Sequence, residues 1–385
     1  MTEGILHTYH PSRTLNLLEH RPRNANIPLT SNPPQPKHIL LFIGGLYDTF
    51  NTPRYVTDLA ALFPLHSSQE WRVCHIQLSS NGRSWGIFDL DRDIEEIALC
   101  IEFLRTKLFK DPKLDVVLMG HSTGCQDTMR YLTAPNPVSE RKPKRPIVQG
   151  AILQAPVSDR DGVLQAIEDG PEAKKAYDKA MKIVQATPEQ HHRDVILPLN
   201  LTKPLFGLVP VSIARFLSLA SPESPERPSI EDFFSNDLGE AMFKKSFGSI
   251  GKNKMLHRST GDGQRDTQSL LVLMSDSDQF IRAKVSQKEL LSRWKGVMRE
   301  DTGAVIHGDS AVILNALHDV GGDDWPSQEA RLVVLRKKVL SYLKHVVGGV
   351  DSHAGEIWHK DGDKVMGMKI GDGRNIEDQV GVLKL

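Results

Sequence analysis

Ser122 stands at the centre of Gly120-His121-Ser122-Thr123-Gly124. The apolar run Val116-Val117-Leu118-Met119 precedes it, and a helix-compatible stretch, Gln126 to Leu132, follows. Gly-x-Ser-x-Gly between a strand and a helix is the setting of a nucleophile elbow, a turn so sharp that its serine hydroxyl projects above the sheet. The blander reading of the same residues is a strand-to-helix turn with a serine N-cap. A serine alone is a poor nucleophile at neutral pH; it needs a base in hydrogen-bond reach and a carboxylate to orient that base. In a sheet of this kind the chain order is serine, acid, histidine, with acid and histidine each just past a late strand. The apolar run Ser269 to Met274 leads into Ser275-Asp276-Ser277-Asp278, which offers two carboxylates. The deeper one, Asp278, is favoured as the acid, with Asp276 as a turn-capping residue. The next strand, read over 304–314, leads to Leu317-His318-Asp319, so His318 is the candidate base and His307 the alternative. An oxyanion needs two preorganised donors. The backbone N–H of Thr123 and that of Leu46, after Gly44-Gly45, are the candidates.

Positioning such a constellation takes a parallel sheet. His38 to Ile43 is apolar without alternation, as in a strand buried on both faces. Two short strands are expected around Pro11-Ser12-Arg13, and further strands over 71–78 and 147–156. Helical periodicity over 91–109 separates two of these strands, and Pro53 opens a helix before 71. Strands alternating with helices give a mostly parallel sheet flanked by helices, with ligands at its carboxyl edge. The rhythm breaks after Val157 and resumes at Ser269. Helices are expected over 161–169, 172–185 and 212–219. The chain therefore divides into a first core part (1–157), a helical lid insertion (158–267), a second core part (268–348) and a Gly/Asp-rich extension (349–385). Phe233, Phe234 and Arg227, in the insertion, are candidate substrate contacts. The fragments Asp361-Gly362-Asp363 and Gly371-Asp372-Gly373 lack EF-hand spacing and are expected to be loops or an edge hairpin.

Composition bounds the remaining classes. Lys plus Arg and Asp plus Glu both number 48, so nothing favours nucleic acid or an anionic membrane surface. Three cysteines give neither a disulfide framework nor metal spacing and suit a reducing, cytoplasmic setting. No secretory signal and no membrane-spanning run of about 18 apolar residues is recognised. The expectation is a serine esterase with no cofactor and no metal, acting on a small-molecule ester. A silent binding protein on the same scaffold would not need all three triad positions filled. A lipase would carry an apolar lid, whereas here Phe206, Phe216, Phe233 and Phe234 are mixed with Glu223, Glu226, Arg227, Glu231 and Asp232.

The framework resembles the α/β-hydrolase fold. More narrowly, IGGLYDTFNTPRY, LMGHSTGCQD and EDFFSNDL resemble a fungal hydrolase family that includes siderophore esterases, over most of residues 5 to 348. That resemblance implies Ser122, Asp278 and His318 as the triad. It also implies cleavage of ester bonds in hydroxamate siderophores of the fusarinine C type, releasing iron inside the cell.

Overall fold

A computed structural model describes residues 4–22, 34–50, 52–63, 70–257, 268–282, 284–299, 303–321, 325–347 and 382–384. The elements begin with β1 (Gly4–His10), β2 (Leu15–His20), β3 (His38–Ile43), α1 (Tyr55–Ala61), β4 (Trp71–Ile76), α2 (Leu90–Phe103), β5 (Asp115–His121), α3 (Gly124–Thr133) and β6 (Gly150–Gln154). Six helices follow without a strand between them: α4 (Asp159–Asp169), α5 (Pro171–Ala186), α6 (Leu199–Phe206), α7 (Ile213–Ala220), α8 (Glu240–Lys245) and α9 (Ile250–Asn253). The chain then forms β7 (Gln268–Ser275), α10 (Gln287–Val297), β8 (Ala304–Ile306), β9 (Ala311–Ile313), α11 (Trp325–Val347) and β10 (Val382–Lys384).

The strands make one sheet in the order β1-β2-β4-β3-β5-β6-β7-β9-β10, with β8 beside β7. Strands β3 to β9 run parallel. The hairpin β1-β2 joins antiparallel at one edge and β10 at the other. The parallel strands bury both faces, which is why they read as unbroken apolar runs. One face packs on α2, α3 and α10, through Ile94, Ile97, Met129 and Trp294. The other packs on α1 and α11, through Tyr55, Leu59, Leu335 and Tyr342. Cys74, Cys100 and Cys125 are unpaired and buried in the first of these layers.

The strand expected over 304–314 is two strands. His307-Gly308-Asp309-Ser310 turns out of the ladder between them. The Ser310 hydroxyl accepts the Val272 N–H at 2.9 Å, standing in for the missing strand carbonyl.

The segment after β6 has two packing modes. Helices α4 to α7 enclose their own apolar cluster, with Val163, Ala180, Phe216 and Leu219, and hold Trp85 from the loop before α2. Ser212 N–H donates to Gly86 O at 2.8 Å, and Arg215 Nε donates to Trp85 O at 2.7 Å. A β-carbon at Gly86 would lie 2.1 Å from Pro210 O, so only glycine allows that loop to dock. Residues 233–256 instead join the core layer of α2, α3 and α10. Phe233 and Phe234, expected to face substrate, are buried there. Phe234 packs on Phe247 and Trp294, with ring centres 6.2 and 5.6 Å away. Arg227, also expected at the substrate, has a side chain 78% exposed and pairs with Glu223 at 3.0 Å. The reason is physical: aromatic rings lower their free energy most by packing over Trp294, and a guanidinium paired with a surface carboxylate is best solvated outside. The two Gly-Asp fragments of the extension lie outside the described residues.

Candidate active site

The elbow is built by two glycines and one strained residue. Ser122 has φ of +55°, a left-handed conformation that a side chain rarely adopts. A β-carbon at Gly120 would sit 2.2 Å from Gly124 O, and one at Gly124 would sit 2.3 Å from Ile43 O. Neither position tolerates any other residue while β3, β5 and α3 are this close. Ser122 N–H donates to Gln154 O at 3.1 Å, which pins the turn to the end of β6. Helix α3 begins two residues later and turns its N-terminal N–H groups toward the elbow, where developing negative charge is favoured.

The acid and the histidine meet. Asp278 Oδ2 lies 2.7 Å from His318 Nδ1, and both side chains are buried. Asp278 Oδ1 accepts Phe280 N–H at 3.0 Å, so the carboxylate is held at both oxygens. The loops carrying the two residues are tied by Asp276 N–H to Ile313 O and Ser277 N–H to Ala316 O. Asp276 is exposed, and its Oδ2 faces Asn315 N–H at 3.5 Å rather than a histidine. His307 packs its ring on Tyr342 and His345, at 5.2 and 4.8 Å. The His318 ring centre lies 4.8 Å from that of His121, the residue before Ser122, which sets His318 beside the elbow. Phe280, 58% exposed, places its ring 4.7 Å from the His318 ring.

The loop after β3 crosses above the serine. A β-carbon at Gly45 would lie 2.8 Å from Ser122 Cβ and 3.2 Å from its Oγ. Gly45 N–H is occupied, donating to Asp48 Oδ2 at 2.6 Å. Leu46 carries the next N–H on that loop, and Leu46 and Thr123 line one small cavity.

Sequence reasoning missed the residue that joins these parts. Gln154, fully buried at the end of β6, accepts Tyr55 O–H at 2.8 Å and the His121 ring at 2.5 Å through Oε1. Its Nε2 donates to His318 O at 3.3 Å and faces Ser275 Oγ at 3.4 Å. Its carbonyl takes Ser122 N–H. A polar residue closing an otherwise apolar strand (Ala151-Ile152-Leu153-Gln154) was the available signal. Burial, and next the nearby His318, push His121 down to about 4, so its ring is neutral and its Nδ1–H donates a hydrogen bond to Gln154 Oε1.

A family described as "Protein of unknown function (DUF1749)" matches residues 1–344. Fusarinine C esterase sidJ of Aspergillus fumigatus is 36% identical over 370 residues, covering 89% of this chain and 96% of that protein. The chain belongs to this family of fungal esterases. Among solved structures, siderophore hydrolase EstB from Aspergillus fumigatus is 35% identical, with a TM-score of 0.71 over 90% of this chain and 98% of that one. An "Alpha/Beta hydrolase fold protein of unknown function" is 15% identical with a TM-score of 0.50, covering 89% of this chain and 96% of its own, and shares the fold alone. The fold is that of the α/β-hydrolases, and the curated relative is named an esterase. No helix among the described residues is long and apolar enough to cross a membrane.

Proposed function

We propose that this chain is a serine esterase that cleaves ester bonds of hydroxamate siderophores of the fusarinine C type. The observation that carries the chemistry is the Asp278–His318 contact beside a strained Ser122. The similarity to a fusarinine C esterase over nearly the whole chain carries the substrate class. Ser122 Oγ attacks the ester carbonyl while His318 Nε2 takes its proton. Asp278 holds His318 in the tautomer that leaves Nε2 free and stabilises the imidazolium that forms. Leu46 and Thr123 N–H groups receive the oxyanion. His318 then returns the proton to the departing alkoxide, and water repeats the sequence on the acyl-enzyme. No cofactor or metal takes part, and cleavage in the cytoplasm would free the iron by dismantling the chelator. The helices α4 to α7, docked on the loop before α2, serve as the lid over the ligand edge.

The test is incubation with iron-loaded and iron-free fusarinine C, with products read by mass. Linear hydrolysis products should appear with the wild type and vanish in Ser122→Ala, and a fluorophosphonate should label Ser122. Labelling that persists in Ser122→Ala, or siderophores left intact by a labelled enzyme, would overturn the chemistry or the substrate respectively.

A further inference from the structure

The loop between β3 and α1 carries a carboxylate to which the triad gives no role. Gly45-Leu46-Tyr47-Asp48 is a four-residue turn, closed by Asp48 N–H donating to Gly45 O at 3.1 Å. The Asp48 side chain closes it a second time, since Oδ2 accepts Gly45 N–H at 2.6 Å. Asp48 thus grips both main-chain polar groups of Gly45. Gly45 in turn presses on the elbow. The point a β-carbon there would occupy is 3.2 Å from Ser122 Oγ and 3.3 Å from Asp48 Oδ2, so nucleophile and carboxylate flank one glycine. At Gly44 the corresponding point is 2.7 Å from Asp48 Cβ, so the loop folds back on itself closely.

This grip decides which N–H is free and where it points. Gly45 N–H and Asp48 N–H are spent within the turn, and Thr49 N–H donates to Thr52 Oγ1 at 2.7 Å. Among the described residues no acceptor meets Leu46 N–H. Gly45 C=O and Leu46 N–H belong to one planar trans peptide and point to opposite sides of it. Holding Gly45 O toward Asp48 therefore turns Leu46 N–H away from Asp48. The Asp48 carboxylate fixes the preceding peptide plane as well, so the two planes cannot rotate together. The tip of the turn is held from the other side: Leu46 packs on the apolar cluster of α4 to α7, and Tyr47 O–H donates to Phe206 O at 3.3 Å. Among the described residues neither Lys nor Arg pairs with Asp48. His121 Nε2 lies 3.8 Å from Asp48 Oδ2, beyond hydrogen-bond reach, and the ring's one proton is on Nδ1. What Asp48 offers its surroundings is an acceptor for one loop N–H.

We propose, resting on the esterase reading above, that Asp48 is a positioning residue for the oxyanion hole. It touches neither substrate nor the reacting atoms; by holding Gly45 at both its N–H and its carbonyl it aims Leu46 N–H at the oxyanion. The acceptor oxygen does this work, and the negative charge does not. A carboxylate beside a developing oxyanion opposes it, so a neutral acceptor at the same place serves as well.

Two substitutions separate the acceptor from the charge. Asp48→Ala removes both, whereas Asp48→Asn keeps an acceptor oxygen and removes the charge. The substrate is p-nitrophenyl acetate, which needs only the triad and the oxyanion hole. In Asp48→Ala kcat should fall about a hundredfold, the scale of an oxyanion donor lost or displaced by about 1 Å. KM should stay within about threefold, because the donor acts on the transition state. Asp48→Asn should keep kcat within about fivefold of wild type, since a neutral acceptor makes a weaker but similarly directed bond. The acid limb of its pH profile should not move. Should Asp48→Ala not fold, Asp48→Val takes its place. Hydrogen exchange of a peptide covering residues 43–48 reads the grip without activity: protection should be kept in Asp48→Asn and lost in the variant without an acceptor. Wild-type kcat in Asp48→Ala would overturn the proposal. So would an Asp48→Asn enzyme as slow as Asp48→Ala, or one with a displaced acid limb, because either would make the charge the active property. Should the wild type cleave neither p-nitrophenyl acetate nor fusarinine C, the esterase reading fails, and the exchange pattern alone decides whether Asp48 holds the loop.

Discussion

Asp276 and Asp278 stand two residues apart on one turn, yet only Asp278 reaches a histidine. Asp278→Asn should therefore lower kcat by about ten-thousandfold, by leaving His318 in the wrong tautomer. Asp276→Asn should change kcat/KM less than about threefold, as an exposed substitution away from the reacting groups does. Steady-state kinetics on the two variants checks this, and the reverse ranking would reject Asp278. Gln154 acts at the same scale through its partners. Gln154→Leu keeps the volume but strands Tyr55 O–H and the His121 ring without an acceptor. Each buried unsatisfied group costs about 1–3 kcal/mol, so the melting temperature should fall clearly. The kcat should drop with KM nearly unchanged, because the His318 loop loses its tether rather than a substrate contact. A fall in KM and kcat together with an unaltered melting temperature would contradict that role.

Elements explain why the sequence disclosed some of this and not the rest. Chain order in a parallel sheet puts loop residues just past the apolar runs on one edge, so the elbow at Ser122 and the Asp278–His318 contact could be anticipated from where those runs end. The glycines of the elbow could be read too, because backbone approach leaves no other residue possible. Which way an aromatic faces is decided by what packs over it, and Phe233-Phe234 carried no mark of Trp294, some 60 positions on. The break between β8 and β9 was hidden because Ser310 repairs the ladder with a side chain. Gln154 was passed over since its partners come from four separate segments. These differences make an element-level expectation. Phe234→Ala should cost about 3–5 kcal/mol, as for other buried aromatics, and depress hydrolysis of large and small esters alike near the melting range. Arg227→Ala, an exposed pair with Glu223, should stay within about 0.5 kcal/mol of wild type. Chemical denaturation of both variants separates a core anchor from a substrate contact.

For the whole molecule, buried histidines set the acid limit. His75, between the rings of Phe42 and Phe50, is pushed down to about 3, chiefly by burial and then by nearby His20. Burial pushes His20 down to about 4. Unfolded, both would titrate near 6.5. Between those values the unfolded chain binds more protons than the folded one. The stability tied to neutral His20 and His75 is thus complete above about pH 6.5 and lost as pH falls toward 4 and 3. The melting temperature should drop over that window, and less steeply in His75→Gln. Equal slopes for the two proteins would show that His75 does not govern it. The three cysteines lead to a different use of the same burial. Cys74, Cys100 and Cys125 are enclosed, and burial raises each thiol far above the range in which thiolate forms. Iodoacetamide should leave the native enzyme fully active, which distinguishes a serine mechanism from a thiol one without any substitution. Slow alkylation would then occur only through molecules that have momentarily opened. Mass counting of one, two or three modified sulfurs over time would show whether β4, α2 and α3 come apart singly or as one unit.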